Sequence, residues 1–316
     1  MLATNMISLK PNNHVKRKKV ISHRGACGYL PEHTLEAYAM AYGMGTDFVE
    51  PDLVLSKDAV FICSHNIYLE LTTNVSDIFP DKCREDGHWY AIDLKLSEIK
   101  ELHVHERINK NGTAVFPGRF PLDKALFKVP TFNELIELIQ GLNKASKQDV
   151  GLFPEIKNPS WHTAEGLPME NLLISTLTQY GYTDENALLY IQCIEPKTLK
   201  NLRFNMKTKL PLIQIIGLDE CFNEMISENG LRNIATYANG IAPHKQHIED
   251  NPVLVKRAHE MGLKVYPWVF RADQLSVRYK SFKDELNQFY SSFDIDGLFT
   301  DFPDQAVELI ESTKGY

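Results

Sequence analysis

Short apolar runs alternate with amphipathic segments from residue 19 to residue 299, and this rhythm constrains the chain more than any other feature. The apolar runs fall at 19–22, 48–55, 151–156, 187–192, 209–215, 240–243, 264–269 and 297–299. Between them, apolar side chains recur at helical spacing, as in Leu35, Tyr38, Ala39 and Tyr42 after Thr34, whose hydroxyl suits a helix N-cap. Further helices are predicted at 131–144, 169–180, 196–203, 220–237, 252–261 and 283–290, with Pro303 opening the last. Strand–helix units repeated in this way predict an α/β fold, a (β/α)8 TIM barrel. An open doubly wound sheet is the competing architecture, but no G-x-G-x-x-G follows any strand.

One stretch breaks the rhythm. Residues 60–64 read as a hairpin arm on the second strand, and residues 66–128 then run polar and aromatic, with Pro80, Gly87, Pro117, Gly118 and Pro121. That is too long for a plain loop. The expected organisation is an N-terminal extension over 1–18 and a barrel over 19–316, with an insertion at 66–128 forming a cap at one end. The cap holds one helix start near Ser97, and its aromatics Trp89, Tyr90, Phe116 and Phe120 read as its own core.

Bulk properties exclude some function classes. A net charge of -7 and a pI near 5.9 leave no broad basic field for a nucleic acid. The basic run Lys16-Arg17-Lys18-Lys19 is read as a solvated surface at the bottom of the barrel. Five scattered cysteines without C-x-x-C spacing predict neither a disulfide framework nor a zinc site. No apolar run is long enough for a membrane span. No apolar leader precedes Lys19, so the expected compartment is the cytoplasm, or the periplasm where a leader has been removed.

Barrel enzymes work at the C-terminal ends of their strands. There the first strand ends in His23-Arg24, and the second carries Glu50 and Asp52, with His65 on its arm. The third ends in Glu155 and Lys157, the fourth in Gln192, the seventh in Trp268 and the eighth in Thr300-Asp301. Glu50 and Asp52, two apart on a strand, share a face. With Glu155 they make three hard oxygen ligands that suit a divalent cation, calcium in preference to magnesium. His23 and His65 are the groups that titrate near neutrality and are read as the proton-transfer pair. Arg24 and Lys157 can bind phosphate oxygens, with Trp268 as an apolar wall.

Four separated stretches, "HRGACGYLPEHTLEAY", "FVEPDLVLSKDAVFICSHN", "FPEIKNP" and "DGLFTDFPD", resemble the glycerophosphodiester phosphodiesterases, most closely the bacterial periplasmic type. The middle stretch "VSDIFPDKCREDGHWYAIDLKLSEIKEL" is similar to that group's insertion. The resemblance runs from Val20 to about Ala306 and implies metal-dependent hydrolysis of a small-molecule glycerophosphodiester to glycerol 3-phosphate and an alcohol. It implies His23 and His65 as acid and base, Glu50, Asp52 and Glu155 on the metal, and Arg24 and Lys157 on the phosphate. One departure stands out: the family's H-D is His65-Asn66 here. Two alternatives share the pattern, a phospholipase D-like enzyme acting on lysophospholipids and a catalytically degenerate barrel that only binds phosphate. The insertion, entering directly after His65, is expected to govern which leaving alcohol is accepted.

Overall fold

The structure is a computed structural model describing residues 17–124 and 126–312. Its strands are β1 (Lys19–His23), β2 (Phe48–Glu50), β3 (Asp52–Leu55), β4 (Phe61–Cys63), β5 (Gly151–Leu152), β6 (Glu155–Ile156), β7 (Ile191–Cys193), β8 (Leu212–Ile216), β9 (Gly240–Pro243), β10 (Lys264–Val265) and β11 (Gly297–Thr300). They pair in two runs, β11-β1-β2-β5 and β10-β9-β8-β7-β6-β3-β4. Every neighbouring pair is parallel except β3 with β4, which form the predicted hairpin.

The two runs are one barrel interrupted by proline. Pro51 separates β2 from β3 and Pro154 separates β5 from β6; a proline has no N–H to give the ladder. The chain stays extended across both, and the Phe153 N–H donates to Val49 O at 2.9 Å and the Glu155 N–H to Pro51 O at 2.8 Å. The ring closes where the segment after β10 meets β11: the Phe299 N–H donates to Pro267 O at 3.0 Å, and the Phe270 N–H to Phe299 O at 2.9 Å. Counted as continuous strands, with β4 left as an arm, the barrel has the eight strands expected.

Its lumen is filled by Ile21, Phe48, Phe153, Ile213, Tyr266 and Phe299. A larger apolar layer lies between the strands and the surrounding helices, where Leu53, Leu152, Ile191 and Leu298 meet Phe132, Leu173 and Phe289. The helices begin where the caps predict. The Thr34 hydroxyl accepts from the Ala37 N–H to start Leu35–Gly43, and Thr131 and Glu134 form a reciprocal capping box on Phe132–Ser146. The region predicted as one helix over 220–237 divides into a tight-turned stretch, Glu220–Ile226, and a helix, Glu228–Ile234, because the Ser227 side chain caps the second. The strand predicted from residue 209 starts at Leu212, after Pro211.

Segment 66–128 holds short helices and turns around a separate small core of Leu69, Val75, Leu94, Ile99, Leu102 and Val104, contiguous with Val54 and Ile62 of the β3–β4 hairpin. Of the aromatics singled out from the sequence, Trp89 packs on that core beside Phe79 and Phe127, its indole N–H donating to Phe79 O at 2.7 Å. Tyr90 instead stacks on Trp161 of the barrel, Phe120 meets Phe127, and Phe116 lies against Arg119 and Arg271. Aliphatic side chains such as Val75 and Leu94 fill the core, with Phe79, Trp89 and Phe127 packed at its edge.

At the bottom of the barrel Arg17 and Lys19 pair with Asp47, and Lys18 with Asp294. Lys16 and the rest of the N-terminal extension before it lie outside the described residues. No helix among the described residues is long and apolar enough to cross a membrane.

Candidate active site

The turn after β1 sets the site. Arg24 adopts a left-handed φ of 57° and Gly25 a φ of 87°, costs a chain tolerates where the surrounding structure demands them. A side chain at Gly25 would press to 2.8 Å from the Ala37 carbonyl carbon, so only glycine lets helix Leu35–Gly43 pack this close. The Arg24 N–H is thereby aimed at Glu50, donating to the main-chain O at 3.0 Å and to Oε2 at 2.9 Å.

Glu50, Asp52 and Glu155 come together as predicted. All three are buried, and each offers an oxygen within 4.8 Å of the others. Burial, then the charges of Asp52 and Glu155, pushes the Glu50 carboxyl well up. Burial also raises Glu155, to about 7, against the opposing pull of Lys157. Asp52 goes the other way: burial opposes its ionisation, but Lys157 and Arg24 hold it well below the usual carboxylate range. Three crowded oxygens, one of them too strained electrostatically to ionise alone, match the donor set of a hard divalent cation. These three residues could hold one.

The two predicted phosphate binders sit among the acids. Lys157 Nζ is 2.8 Å from Glu155 Oε1 and 3.6 Å from Asp52 Oδ1. Arg24 donates through Nη1 to Glu32 Oε1 at 3.0 Å, and its Nε lies 3.2 Å from Asp52 Oδ2. Glu32 and His33, which no strand end or spacing singles out, join them. His33 donates from Nε2 to Asp52 at 2.9 Å while its Nδ1 meets the Tyr38 hydroxyl at 2.7 Å.

His23 and His65 each present Nε2 to the site, for the same reason. His23 Nδ1 is 2.7 Å from Asp301 Oδ1. Although burial opposes it, Arg271 and the bond from His23 keep Asp301 well below the usual range, so the carboxylate accepts and Nδ1 donates. His65 Nδ1 is 3.2 Å from Asn66 Oδ1, which also accepts from Arg107 Nη1 at 2.9 Å. An atom that accepts a hydrogen bond from Arg107 is the amide oxygen, so His65 Nδ1 must donate to it too. Both rings are neutral at pH 7: burial and then Arg24 bring His23 down to about 4, and burial with Arg24 and Lys157 holds His65 well below its ordinary value.

The cavity these groups enclose measures about 210 Å³ and is lined by His23, Arg24, Glu50, His65, Glu155, Lys157, Gln192, Trp268 and Arg271, with Ile194, Ile215, Val269 and Phe299 as apolar wall. Trp268 stands where the sequence placed it, its indole N–H fixed on Ala242 O at 2.8 Å. Gln192 donates to Glu50 Oε1 at 3.1 Å. No described residue of 66–128 is on this wall. The insertion reaches the site from behind instead, through Arg107 on Glu32 and Arg119 on Asp301, at 2.6 and 2.7 Å.

A phosphodiester would fit these groups, and comparison with known proteins names the family. The sequence profile of the Glycerophosphoryl diester phosphodiesterase family matches residues 23–305. The chain belongs to that family. A glycerophosphodiester phosphodiesterase of Haemophilus influenzae is 33% identical, covering 96% of this chain and 93% of its own. One of Treponema pallidum is 27% identical over 95% of this chain and 93% of its own. Among solved structures, a glycerophosphoryl diester phosphodiesterase from Silicibacter pomeroyi superimposes with a TM-score of 0.74 at 23% identity, covering 95% of each chain. A phosphodiesterase from Oleispira antarctica, solved with the product sn-glycerol-3-phosphate, gives 0.67 at 20% identity, with 93% of this chain and 96% of that one covered. Both share the TIM-barrel fold. This member of the family is accordingly an enzyme, a phosphodiesterase, with its polar groups gathered at the C-terminal mouth of the barrel.

Proposed function

We propose that this enzyme hydrolyses glycerophosphodiesters to glycerol 3-phosphate and an alcohol, using a divalent cation, calcium in preference to magnesium, bound by Glu50, Asp52 and Glu155. The observation that carries the reading is a cluster of three buried carboxylates, two of them on the wall of a cavity that two imidazoles and three cations also line. A bound cation there would polarise the phosphoryl oxygens and offset charge as it builds. Its arrival would also loosen the hold of the carboxylates on Arg24 and Lys157, which then serve the phosphate.

The environments of the histidines divide their roles. His65 has a neutral partner in Asn66 and stands among Arg24, Lys157 and Arg107, so it resists protonation and acts as the base toward the attacking hydroxyl, of water or of the substrate's glycerol. His23 is neutral in the free protein but has the Asp301 carboxylate behind it, a counter-charge for an imidazolium; in that protonated form, which the negative charge of a bound phosphodiester favours, it acts as the acid that protonates the leaving alcohol. The wall contains Trp268 and four other apolar side chains but none of the insertion's aromatics, which favours compact water-soluble diesters over lysophospholipids.

The test is turnover of glycerophosphocholine, glycerophosphoethanolamine and lysophosphatidylcholine with added calcium or magnesium, repeated after exhaustive EDTA. Cleavage of the first two, lost on chelation, is expected. No cleavage of any glycerophosphodiester would sink the reading, and full activity in EDTA would remove the cation from it.

A further inference from the structure

Arg271 stands at the top of the barrel's seventh strand, three residues beyond Trp268, and lines the cavity with Arg24 and Lys157. Those two cations are turned onto Glu32, Asp52 and Glu155. Arg271 is held differently. Its Nε donates to Asp301 Oδ2 at 2.7 Å, and among the described residues neither Nη makes a hydrogen bond. The side chain is 27% exposed, so the free end of the guanidinium faces the open cavity. Phe116, from the insertion, lies 5.5 Å from the guanidinium, and the same ring carries Arg119 at 3.7 Å. Arg119 Nη2 shares Asp301 Oδ2 with Arg271 Nε, also at 2.7 Å. The side chain is thus clamped at its base and against an aromatic face while its fork is left unpaired.

We propose that Arg271 contacts the substrate, its Nη fork binding a non-bridging oxygen of the phosphodiester from across the barrel. This rests on the glycerophosphodiester reading above and adds a residue to it. The strand order puts the seventh strand opposite the third, β5 and β6, so Arg271 faces Glu155 of the carboxylate cluster over the width of the lumen. A phosphodiester has two non-bridging oxygens; one can turn to the carboxylate cluster and its cation, and the other then turns to Arg271. A guanidinium suits this because its planar fork makes two parallel bonds and its charge persists at any working pH. Asp301 ties the contact to the chemistry, since its other oxygen holds His23. A phosphate seated on Arg271 is therefore registered against His23 Nε2 through one carboxylate.

The experiment uses the calcium-loaded enzyme and the variants Arg271→Gln and Arg271→Lys. Calorimetric titration with sn-glycerol 3-phosphate and with inorganic phosphate gives Kd, and glycerophosphocholine hydrolysis gives kcat and KM separately. Losing a charge-assisted fork should raise both Kd values and KM by about tenfold or more in Arg271→Gln. Arg271→Lys, which keeps the charge and loses the fork, should recover part of this. Kd values within about twofold of wild type overturn the proposal. So does a fall in kcat with Kd and KM unchanged, which would mean that Arg271 acts only by bracing Asp301 behind His23. If Arg271→Gln does not fold, Arg271→Lys alone decides, by the same Kd comparison. If the wild type cleaves no glycerophosphodiester, the reaction assigned above fails on its own, and the inorganic phosphate titrations still decide whether Arg271 binds phosphate.

Discussion

At the scale of single residues, the two histidines differ in what stands behind them. His23→Ala and His65→Ala should each lower kcat by about a hundredfold or more, the usual cost of losing a general acid or base. Both variants should keep their circular-dichroism spectrum, since each ring faces the cavity; near-normal rates in either would take that ring out of the mechanism. Asn66 gives a sharper test. It supplies the acceptor for His65 but no charge. In Asn66→Asp a carboxylate would favour the imidazolium and raise the His65 pKa. A base must be neutral to act, so the acidic limb of the kcat/KM–pH profile should move to higher pH. A limb that stays in place would show that His65 is not the base. The role of Asp301 could be suspected from its place at the end of the eighth strand, but Glu32, His33, Arg107, Arg119 and Arg271 could not be picked out. Arg107 lies 75 residues from Glu32, and Arg119 lies 182 from Asp301. No periodicity or spacing connects residues so far apart.

At the scale of elements, β10 is short, and one side chain adds to the backbone bonds that join it to β11. Asp296 accepts from His259 Nε2 at 2.8 Å, from Lys264 Nζ at 2.5 Å and from the Val265 N–H at 3.0 Å. Burial opposes its ionisation, yet the bonds from His259 and Lys264 bring it down to about 2. A carboxylate depressed in the folded state contributes stability above its unfolded pKa, near 4, and loses it as pH falls through 2. Asp296→Asn should cost about 1–2 kcal/mol at pH 7. It should also flatten the decline in stability between pH 4 and pH 2, read by urea denaturation at each pH. An unchanged decline would mean that other carboxylates account for it. The insertion is an element of a different kind. Its small core continues that of the β3–β4 hairpin, and its arginines reach Glu32 and Asp301. It reaches the site through these ion pairs and through Phe116, which lies against Arg271.

For the whole molecule, the carboxylate cluster is a local liability that a cation would relieve. Glu50 is raised in the folded state, so in metal-free protein it lowers stability as pH rises above its unfolded value near 4.5. Added calcium should raise Tm at pH 7, because a ligand bound only by the folded state stabilises it by mass action. Glu50→Gln should raise the Tm of EDTA-treated protein by a few degrees, about 1 kcal/mol or more in a chain of this size, and should abolish the shift with calcium. A Tm insensitive to calcium in the wild type would contradict the proposed site. The sequence by itself determined the barrel, because eight alternating runs have few ways to bury their apolar faces, and it brought Glu50, Asp52, Glu155, His23 and His65 to one rim, because strand ends and i, i+2 spacing put them there. It also marked His65-Asn66 as unusual. Only the tertiary structure decided that prolines at 51 and 154 interrupt the strands without opening the ring, and that Asp301 joins His23 to Arg119 and Arg271. Likewise, it alone showed the insertion bracing the site from outside the cavity. Those outcomes depend on where separate loops meet in space, and a loop's path is set by packing and ion pairs with distant residues, which local patterning does not encode.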